Sequence, residues 1–175
     1  PDRPGVAEWL ASDTSADHLD ELLVDIGPRV WLLPWRSATS AHERQHVDDH
    51  DVRWATLGHW LHDWSNQWGC DVTVDIGTRV PPDPLAARSD RLLLVTRPCY
   101  LSLRRAVRSG VRPTWVILVD EPGRVLGQRD IEHAIGVPVE AVISVDPSVA
   151  RAVDAGLLAS RLPRVMTRAL RSAAA

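Results

Sequence analysis

Lysine and phenylalanine are both absent from this chain of 175 residues, and all 20 of its basic residues are arginines. The chain has one tyrosine and one methionine, yet it has 8 tryptophans. A shared bias against lysine and phenylalanine is typical of a GC-rich coding sequence, so it carries little information about function. The lack of lysine does exclude any site in this chain that needs an ammonium group on a bound phosphate.

Long apolar runs and an excess of one charge are missing as well. No run approaches the roughly 20 apolar residues that cross a bilayer. The net charge of -3 provides no general attraction to nucleic acid or to an anionic membrane. Cys70 and Cys99 are the only cysteines, and both stand in apolar, strand-like surroundings. Their number and setting predict reduced thiols and a cytoplasmic location.

Strand and helix patterns alternate along much of the chain, which is 45% hydrophobic. This order predicts a single α/β domain over residues 1–175, with a mostly parallel sheet of about five strands and helices on both faces. A polar, histidine-rich loop is expected at 37–50. The predicted strands cover 28–35, 71–77, 91–98, 114–120 and 138–146. The predicted helices cover 5–12, 16–26, 51–68, 100–110, 127–136, 147–156 and 161–172.

Candidate site residues are sought where strands end, because open α/β sheets bind ligands at the carboxyl ends of their strands. Asp75 ends the strand predicted at 71–77, and Gly77 and Thr78 follow it. A carboxylate there can hold a water of Mg²⁺, while the glycine lets the backbone approach a terminal phosphate. The alternative is an acid that only caps the next turn.

Two further acidic turns follow later strands. Asp120 and Glu121 come before a Pro-Gly pair, and Asp146 comes directly before Pro147. Each is first of all typical of a turn or of a helix N-cap. They become candidates for a binding site only because they are expected on the same sheet edge as Asp75.

Three stretches resemble the MinD/ParA family of P-loop ATPases: "VTVDIG", "RLLLVTRPCYLSLRRA" and "PVEAVISVDPSVARAVDAGLL". The runs "PGVAEWL" and "DAGLL" are similar to those of its actinobacterial septum-site and pilus-localisation branch, the CpaE/TadZ-like group. The resemblance implies a P-loop NTPase-like fold without its N-terminal Walker A part. It also implies an ATP-driven, homodimeric switch that positions cell-division or pilus and secretion machinery.

The resemblance also assigns expected roles to single residues. Asp75 would hold the Mg²⁺ shell, and Gly77, with Thr78 beside it, would sense the γ-phosphate of Mg-ATP. Asp146 and Pro147 would flank the adenine. The family's adenine-reading asparagine is replaced by Asp120 and Glu121.

The family's phosphate loop has no counterpart in this chain, because the sequence contains no G-x-x-x-x-G-K-[ST] motif. The missing loop and first strands are expected to precede Pro1. The chain is therefore predicted to have no catalytic residue, to hydrolyse no ATP, and to leave Mg-ATP binding to the full-length parent. The strand at 71–77 would lose a neighbour, so an atypical sheet order or an intimate dimer is expected.

A non-catalytic, Rossmann-like interaction module is the alternative function, with the helix that carries Trp60 and Trp64 as the contact to a partner protein. Tryptophan is enriched at interaction hot spots. A metal site is a third option, since a polar stretch and the helix after it carry His42, His46, His50, His59 and His62.

Two charged surfaces are expected to be ordinary solvated helix faces. One carries Arg97, Arg104, Arg105, Arg108 and Arg112, and nucleic-acid binding by this face is not expected. The other is the last helix, which is expected to dock on the sheet. Weak membrane contact is its alternative role.

Overall fold

The computed structural model describes residues 4–36, 51–158 and 160–173. The predicted histidine-rich loop at 37–50 lies outside the described residues. By its internal contacts the chain divides into two compact units, Pro1–Ser89 and Asp90–Ala175. The single domain over residues 1–175 stays a prediction. In the described part of the chain, no helix is both long enough and apolar enough to cross a membrane.

The first unit combines short helices, one long helix and a β-hairpin. Its elements in chain order are α1 (Val6–Leu10), a 3-10 turn (Ala16–His18), α2 (Leu19–Leu22), β1 (Val24–Gly27), β2 (Val30–Leu32), α3 (Asp51–Trp68) and α4 (Asp83–Ala86). The helix predicted at 16–26 is wrong beyond Leu22, because Leu23 turns the chain into an extended conformation. β-Branched Val24 and Ile26 then enter an antiparallel pair with β2, in which Val24 faces Leu32 and Asp25 faces Trp31.

The core of the first unit is built on tryptophan and leucine. Trp9 donates its indole N–H to the Ser15 carbonyl at 3.0 Å, so its polar atom is satisfied inside the core. Helix α3 contributes Trp54 and Leu57 and ends, as predicted, at Gly69, whose φ is 57°. The buried residues of this core are Val6, Trp9, Leu10, Leu19, Trp54, Leu57 and Leu85.

Arg53 of α3 fastens the N-terminal segment to the long helix. Its guanidinium carbon lies 3.6 Å from the centroid of the Trp9 ring. The guanidinium donates to the Thr14 carbonyl at 2.9 Å and also to the Trp9 carbonyl. Burial lowers the pKa of Arg53, and the charge of Asp13 partly offsets that effect. A cation–π contact and two charge-assisted hydrogen bonds therefore meet on one side chain.

The strand predicted at 71–77 is not formed. Residues 71–76 belong to neither sheet, and Val72 and Val74 expose 39% and 45% of their surfaces. A strand is stable only when its backbone groups pair with a neighbour, and no neighbour pairs with this segment among the described residues. The alternating apolar residues at 71–76 therefore form no backbone ladder with another described segment.

The second unit is a parallel sheet with helices. Its elements are β3 (Leu93–Thr96), α5 (Tyr100–Arg108), β4 (Trp115–Asp120), α6 (Gln128–Ile135), β5 (Val139–Ser144), α7 (Pro147–Asp154) and α8 (Arg164–Ala173). The strand order is β3-β4-β5, and both pairs are parallel. The predicted α/β class is confirmed, but the sheet is smaller than predicted. It has three strands, because 71–77 forms none and 30–32 lies in the hairpin of the first unit.

Aliphatic side chains fill the core of the second unit. Val116 and Leu118 of β4 pack with Leu103 of α5 and Ile131 of α6, and all four are buried. Helix α6 ends at Gly136, which adopts a left-handed conformation with φ 77°. Helix α8 packs against β5, as predicted for the last helix.

Candidate functional site

The carboxyl ends of the three parallel strands meet at one edge of the second unit. Thr96 pairs with Leu118, and Asp120 pairs with Ser144, so the chain leaves all three strands at neighbouring points. The Val145 N–H donates to the Asp120 carbonyl at 2.9 Å and extends the ladder just beyond β5. Parallel sheets place their ligand sites at such an edge.

Glu121 is held between two arginines directly after β4. Its Oε1 lies 2.9 Å from Nη1 of Arg97, and its Oε2 accepts from Nε of Arg124 at 2.8 Å. The glutamate side chain is 18% exposed and that of Arg97 is 64% exposed. The hydrogen bond from Arg124 is the main cause that lowers the pKa of Glu121, and the charges of both arginines add to it. Two guanidinium groups thus bind one carboxylate at an edge that also carries Asp120 and Asp146.

Cys99 lies next to this cluster, at the N-cap of α5. The backbone N–H groups of Ser102 and Leu101, in the first turn of α5, lower the pKa of its thiol without forming a capping hydrogen bond, and the charge of Arg124 acts in the same direction. A thiol at a helix N-terminus beside a cation favours the thiolate, which is the reactive form. Cys99 and Cys70 are both unbridged, as the sequence predicts.

Asp146 caps helix α7. Its Oδ1 accepts from the Ser148 N–H at 2.6 Å, and Pro147 occupies the first turn of the helix. Hydrogen bonds from the side chain and the backbone of Ser148 lower the pKa of Asp146. The N-cap interpretation of this acid is thus observed directly, while its role beside an adenine stays a prediction.

Asp75, Gly77 and Thr78 lie in the first unit, at a turn. The Gly77 N–H donates to Oδ1 of Asp75 at 2.7 Å, and Gly77 has a φ of 67°. Asp75 is exposed and follows a segment that forms no strand. This bond is the turn-capping alternative that the sequence left open.

The described residues do not form a site that fits Mg-ATP. The sequence has no lysine that could bind the phosphates. Oδ1 of Asp75, the candidate Mg²⁺ ligand, already accepts a hydrogen bond from the Gly77 N–H. Among the residues that the structure describes, no group of three or more His, Cys, Asp or Glu side chains could hold a metal ion.

The two histidines of α3 have partners of other kinds. Nδ1 of His59 lies 2.8 Å from the Ala55 carbonyl, and its other ring nitrogen contacts Arg88. Nε2 of His62 lies 3.0 Å from the amide nitrogen of Asn66. The other three members of the predicted metal set, His42, His46 and His50, lie outside the described residues.

Four tryptophans of the first unit form a continuous aromatic surface, which we call the tryptophan array: Trp31, Trp60, Trp64 and Trp68. The ring centroids of Trp60 and Trp64 are 6.2 Å apart, as are those of Trp64 and Trp68. The Trp31 ring meets Trp64 edge-on at 5.2 Å and Trp68 at 5.8 Å. Trp60, Trp64 and Trp31 are half-buried, whereas Trp68 is 50% exposed.

A polar cavity of about 360 Å³ opens beside the end of the array. It is lined by Ser65, Asn66, Gly69, Cys70 and Asp71. Ser65 donates to the Cys70 carbonyl within this lining at 2.6 Å. The cavity therefore gives the array a polar border at the end of α3.

The sequence interpretation missed Arg124 and the setting of Cys99. Arg124 follows a Pro-Gly turn whose geometry brings the side chain back onto Glu121, three residues earlier. The sequence does contain a signal for this ion pair: Glu121 directly follows β4, and Arg124 comes three residues later. The position of Cys99 before an amphipathic run was the signal for its N-cap place.

Comparison with known proteins yields a likeness of fold only. The chain is similar to the crystal structure of a ParA family ATPase from Chlorobium tepidum TLS, with a TM-score of 0.68 and 18% sequence identity. The match covers 95% of this chain and 72% of that chain. No family model matches the sequence. No curated protein matches it either. The predicted ParA-like, P-loop NTPase-like fold is therefore confirmed.

Proposed function

We propose that this chain is a ParA/MinD-like positioning protein that does not hydrolyse ATP by itself. The likeness to a ParA family ATPase over 95% of the chain is the observation that carries the proposal. The absence of lysine from the whole sequence supports the second half of it, since the family's phosphate loop depends on one. The machinery that it positions would be that of cell division, or of a pilus or secretion system.

The nucleotide part of this proposal concerns the parent switch. There Mg-ATP would be the cofactor, with Asp75, Gly77 and Thr78 on the phosphate side and Asp146 and Pro147 on the adenine side. In this chain the two acids already accept hydrogen bonds from their own turns. A nucleotide would have to replace those bonds, so the chain alone is expected to bind Mg-ATP poorly. Its location in the cytoplasm and its membership of the actinobacterial branch stay predictions.

Isothermal titration of Mg-ATP into this chain tests the proposal, together with a phosphate-release assay. We expect no micromolar binding and no turnover, and an Asp75→Asn variant indistinguishable from the unchanged protein. A ParA family ATPase under the same conditions is the positive control. Micromolar binding that Asp75→Asn abolishes would show that the chain carries a working phosphate site and would overturn the proposal.

An interaction module is the second candidate function, and the tryptophan array favours it. Four large aromatic rings in mutual contact, with Trp68 half exposed, form a surface typical of protein contacts. The array needs no nucleotide, so this function can hold whether or not the parent binds Mg-ATP. Light scattering over a range of concentrations tests it, and a monomer that binds no basic or apolar peptide would remove its support.

A further inference from the structure

The tryptophan array repeats at the spacing of helical turns. Trp60, Trp64 and Trp68 follow one another at intervals of four residues, and their ring centroids are 6.2 Å apart at each step. A helix rises about 5.4 Å per turn. A second helix laid along α3 would therefore bring one side chain to each ring, if its residues were also three or four positions apart.

Three carboxylates lie near members of the array, either along α3 or across the hairpin. Asp25 is paired with Trp31 across the hairpin, Asp63 follows Trp60 by one turn of α3, and Asp71 lines the cavity at the end of that helix. All three carboxylates are exposed. The turn between β1 and β2 contains one basic residue, Arg29. The whole first unit has 15 acidic residues and 7 arginines. Such a surface repels phosphates and anionic lipids and attracts a cationic partner.

The chain itself repeatedly places arginine on tryptophan. Arg53 lies over Trp9 at 3.6 Å, Arg79 over Trp35 at 4.6 Å, and Arg91 over Trp115 at 4.3 Å. Within the described residues, no guanidinium lies over a ring of the array. Aromatic rings with neighbouring carboxylates are a favourable setting for guanidinium groups, which are weakly hydrated and stack on indole.

A matching cationic helix is present in the second unit. Helix α8 packs against β5 and exposes Arg164, Arg168 and Arg171, which are spaced by four and three residues. The second unit as a whole has 13 arginines and 8 acidic residues, the reverse of the first. We propose that the tryptophan array of one copy is the docking site for α8 of a second copy, with its three arginines on the rings and on the nearby carboxylates.

This self-docking rests on the interaction-module function and names its partner. The contact joins two different surfaces, so it either closes into a small ring or propagates as a chain of copies. Charge complementarity makes it dependent on salt, because the flanking carboxylates are exposed to solvent.

Sedimentation velocity over a range of protein concentrations, at low and at high salt, tests the proposal. We expect mass to rise with concentration at low salt and association to weaken at high salt. The triple variant Arg164→Glu, Arg168→Glu, Arg171→Glu should weaken association about tenfold or more, because it brings carboxylates onto an acidic surface. The double variant Arg104→Glu, Arg108→Glu on exposed positions of α5 is the control and should associate nearly as the unchanged chain does.

Charge reversal on the other side makes the test specific. Asp63→Arg with Asp71→Arg should weaken association by itself and should restore it when mixed with the triple arginine variant. A mass that does not change with concentration, or an unchanged association of the triple variant, would overturn self-docking. Binding of a nona-arginine peptide to a chain that stays monomeric would also overturn it, yet would leave the interaction-module function in place. Failure of both would remove that function as well.

Discussion

The first unit buries tryptophan where the second buries branched aliphatic side chains. Seven of the eight tryptophans lie in residues 1–89, and its core depends on Trp9 and Trp54. The core of the second unit consists of Leu103, Val116, Leu118 and Ile131. The difference follows from the backbone. A parallel ladder holds the second unit in register, whereas the described part of the first unit combines a hairpin, short helices and the long helix α3 and relies on large side chains to connect them.

The two units also differ in charge, since the first is acidic and the second is basic. Arginine has a different task in each. In the first unit Arg53 is part of the packing itself, while in the second Arg97 and Arg124 neutralise an acid at the sheet edge. An acidic, aromatic half and a basic, aliphatic half are thus parts of one chain whose net charge is only -3.

Loss of a core leucine should have the largest effect and should separate the two units. Leu118→Ala in the second unit and Leu19→Ala in the first each remove a buried side chain, which costs about 2–5 kcal/mol of unfolding free energy. Tryptophan fluorescence in urea reports mainly on the first unit, and far-UV circular dichroism reports on both. Leu19→Ala should lower the midpoint seen by fluorescence, and Leu118→Ala should lower mainly the midpoint seen by dichroism.

The half-exposed Leu93 of β3 provides a control, because Leu93→Ala should cost much less than Leu118→Ala. Equal shifts in both probes for both core variants would mean that the two units unfold as one cooperative body. The comparison between them would then apply to composition alone.

Replacement of Arg53 should destabilise the first unit by about 2–3 kcal/mol, since two backbone carbonyls lose a charged donor and Trp9 loses its cation. Arg53→Met keeps most of the apolar stem and should show nearly the full loss, measured as the urea midpoint of tryptophan fluorescence. Arg53→Lys keeps the charge but has no planar fork that reaches both carbonyls. Its stability should therefore lie between that of Arg53→Met and that of the unchanged chain. A cost below that of an ordinary surface substitution would contradict the packing role of this arginine.

Glycine at the end of a helix should matter equally in the two units. Gly69 after α3 and Gly136 after α6 have φ values of 57° and 77°, and no atom lies within 4 Å of a Cβ added at either position. Alanine at either position therefore meets only backbone strain, about 1–2 kcal/mol. Gly27→Ala is the control, because Gly27 has no positive φ and no atom lies within 4 Å of a Cβ added there. Thermal unfolding measures all three, and a control as costly as the two variants would rule out the strain argument.

Acidification should weaken the second unit through its capping carboxylate, with the smallest effect of the four. The folded-state pKa of Asp146 lies below its ordinary value because Ser148 donates to the carboxylate. The stabilisation is therefore complete above the unfolded-state pKa and is lost as pH falls through the folded-state pKa. Asp146→Asn keeps an oxygen acceptor without titrating, so its stability should fall less between neutral and acidic pH. A steeper fall than that of the unchanged chain would contradict this assignment.

Much of the second unit could be predicted from the sequence, and less of the first. The continuous apolar runs at 91–98 and 114–120 and the glycine stops at 110 and 136 specify strands and helices through local chemistry. The hairpin at 24–32 was missed, because a helical pattern at 16–26 and a strand compete for the same apolar residues. The strand predicted at 71–77 is wrong for a different reason. Its apolar alternation is typical of a strand, but no described segment pairs with it.

The candidate site shows the same division. That Asp146 would cap a helix could be predicted from Asp-Pro before an amphipathic run, and the turn at Asp75 was one of the two interpretations left open. The contact of Arg97 with Glu121 joins residues from two different strand ends, so no local pattern contains it. The contact between the Trp31 ring and the tryptophans of α3 likewise depends on how the hairpin packs on that helix.

Neighbouring residues and composition are enough to specify the α/β alternation, the helix ends marked by Gly69, Gly110 and Gly136, and the lack of an ammonium group for phosphate binding. Contacts between distant parts of the chain decide the number of strands in the sheet, the exposure of residues 71–75, and the placing of four indoles side by side. The physical reason is that a strand and an aromatic surface both require partners that are distant in the chain, and the free energy of those contacts is gained only when the chain is folded.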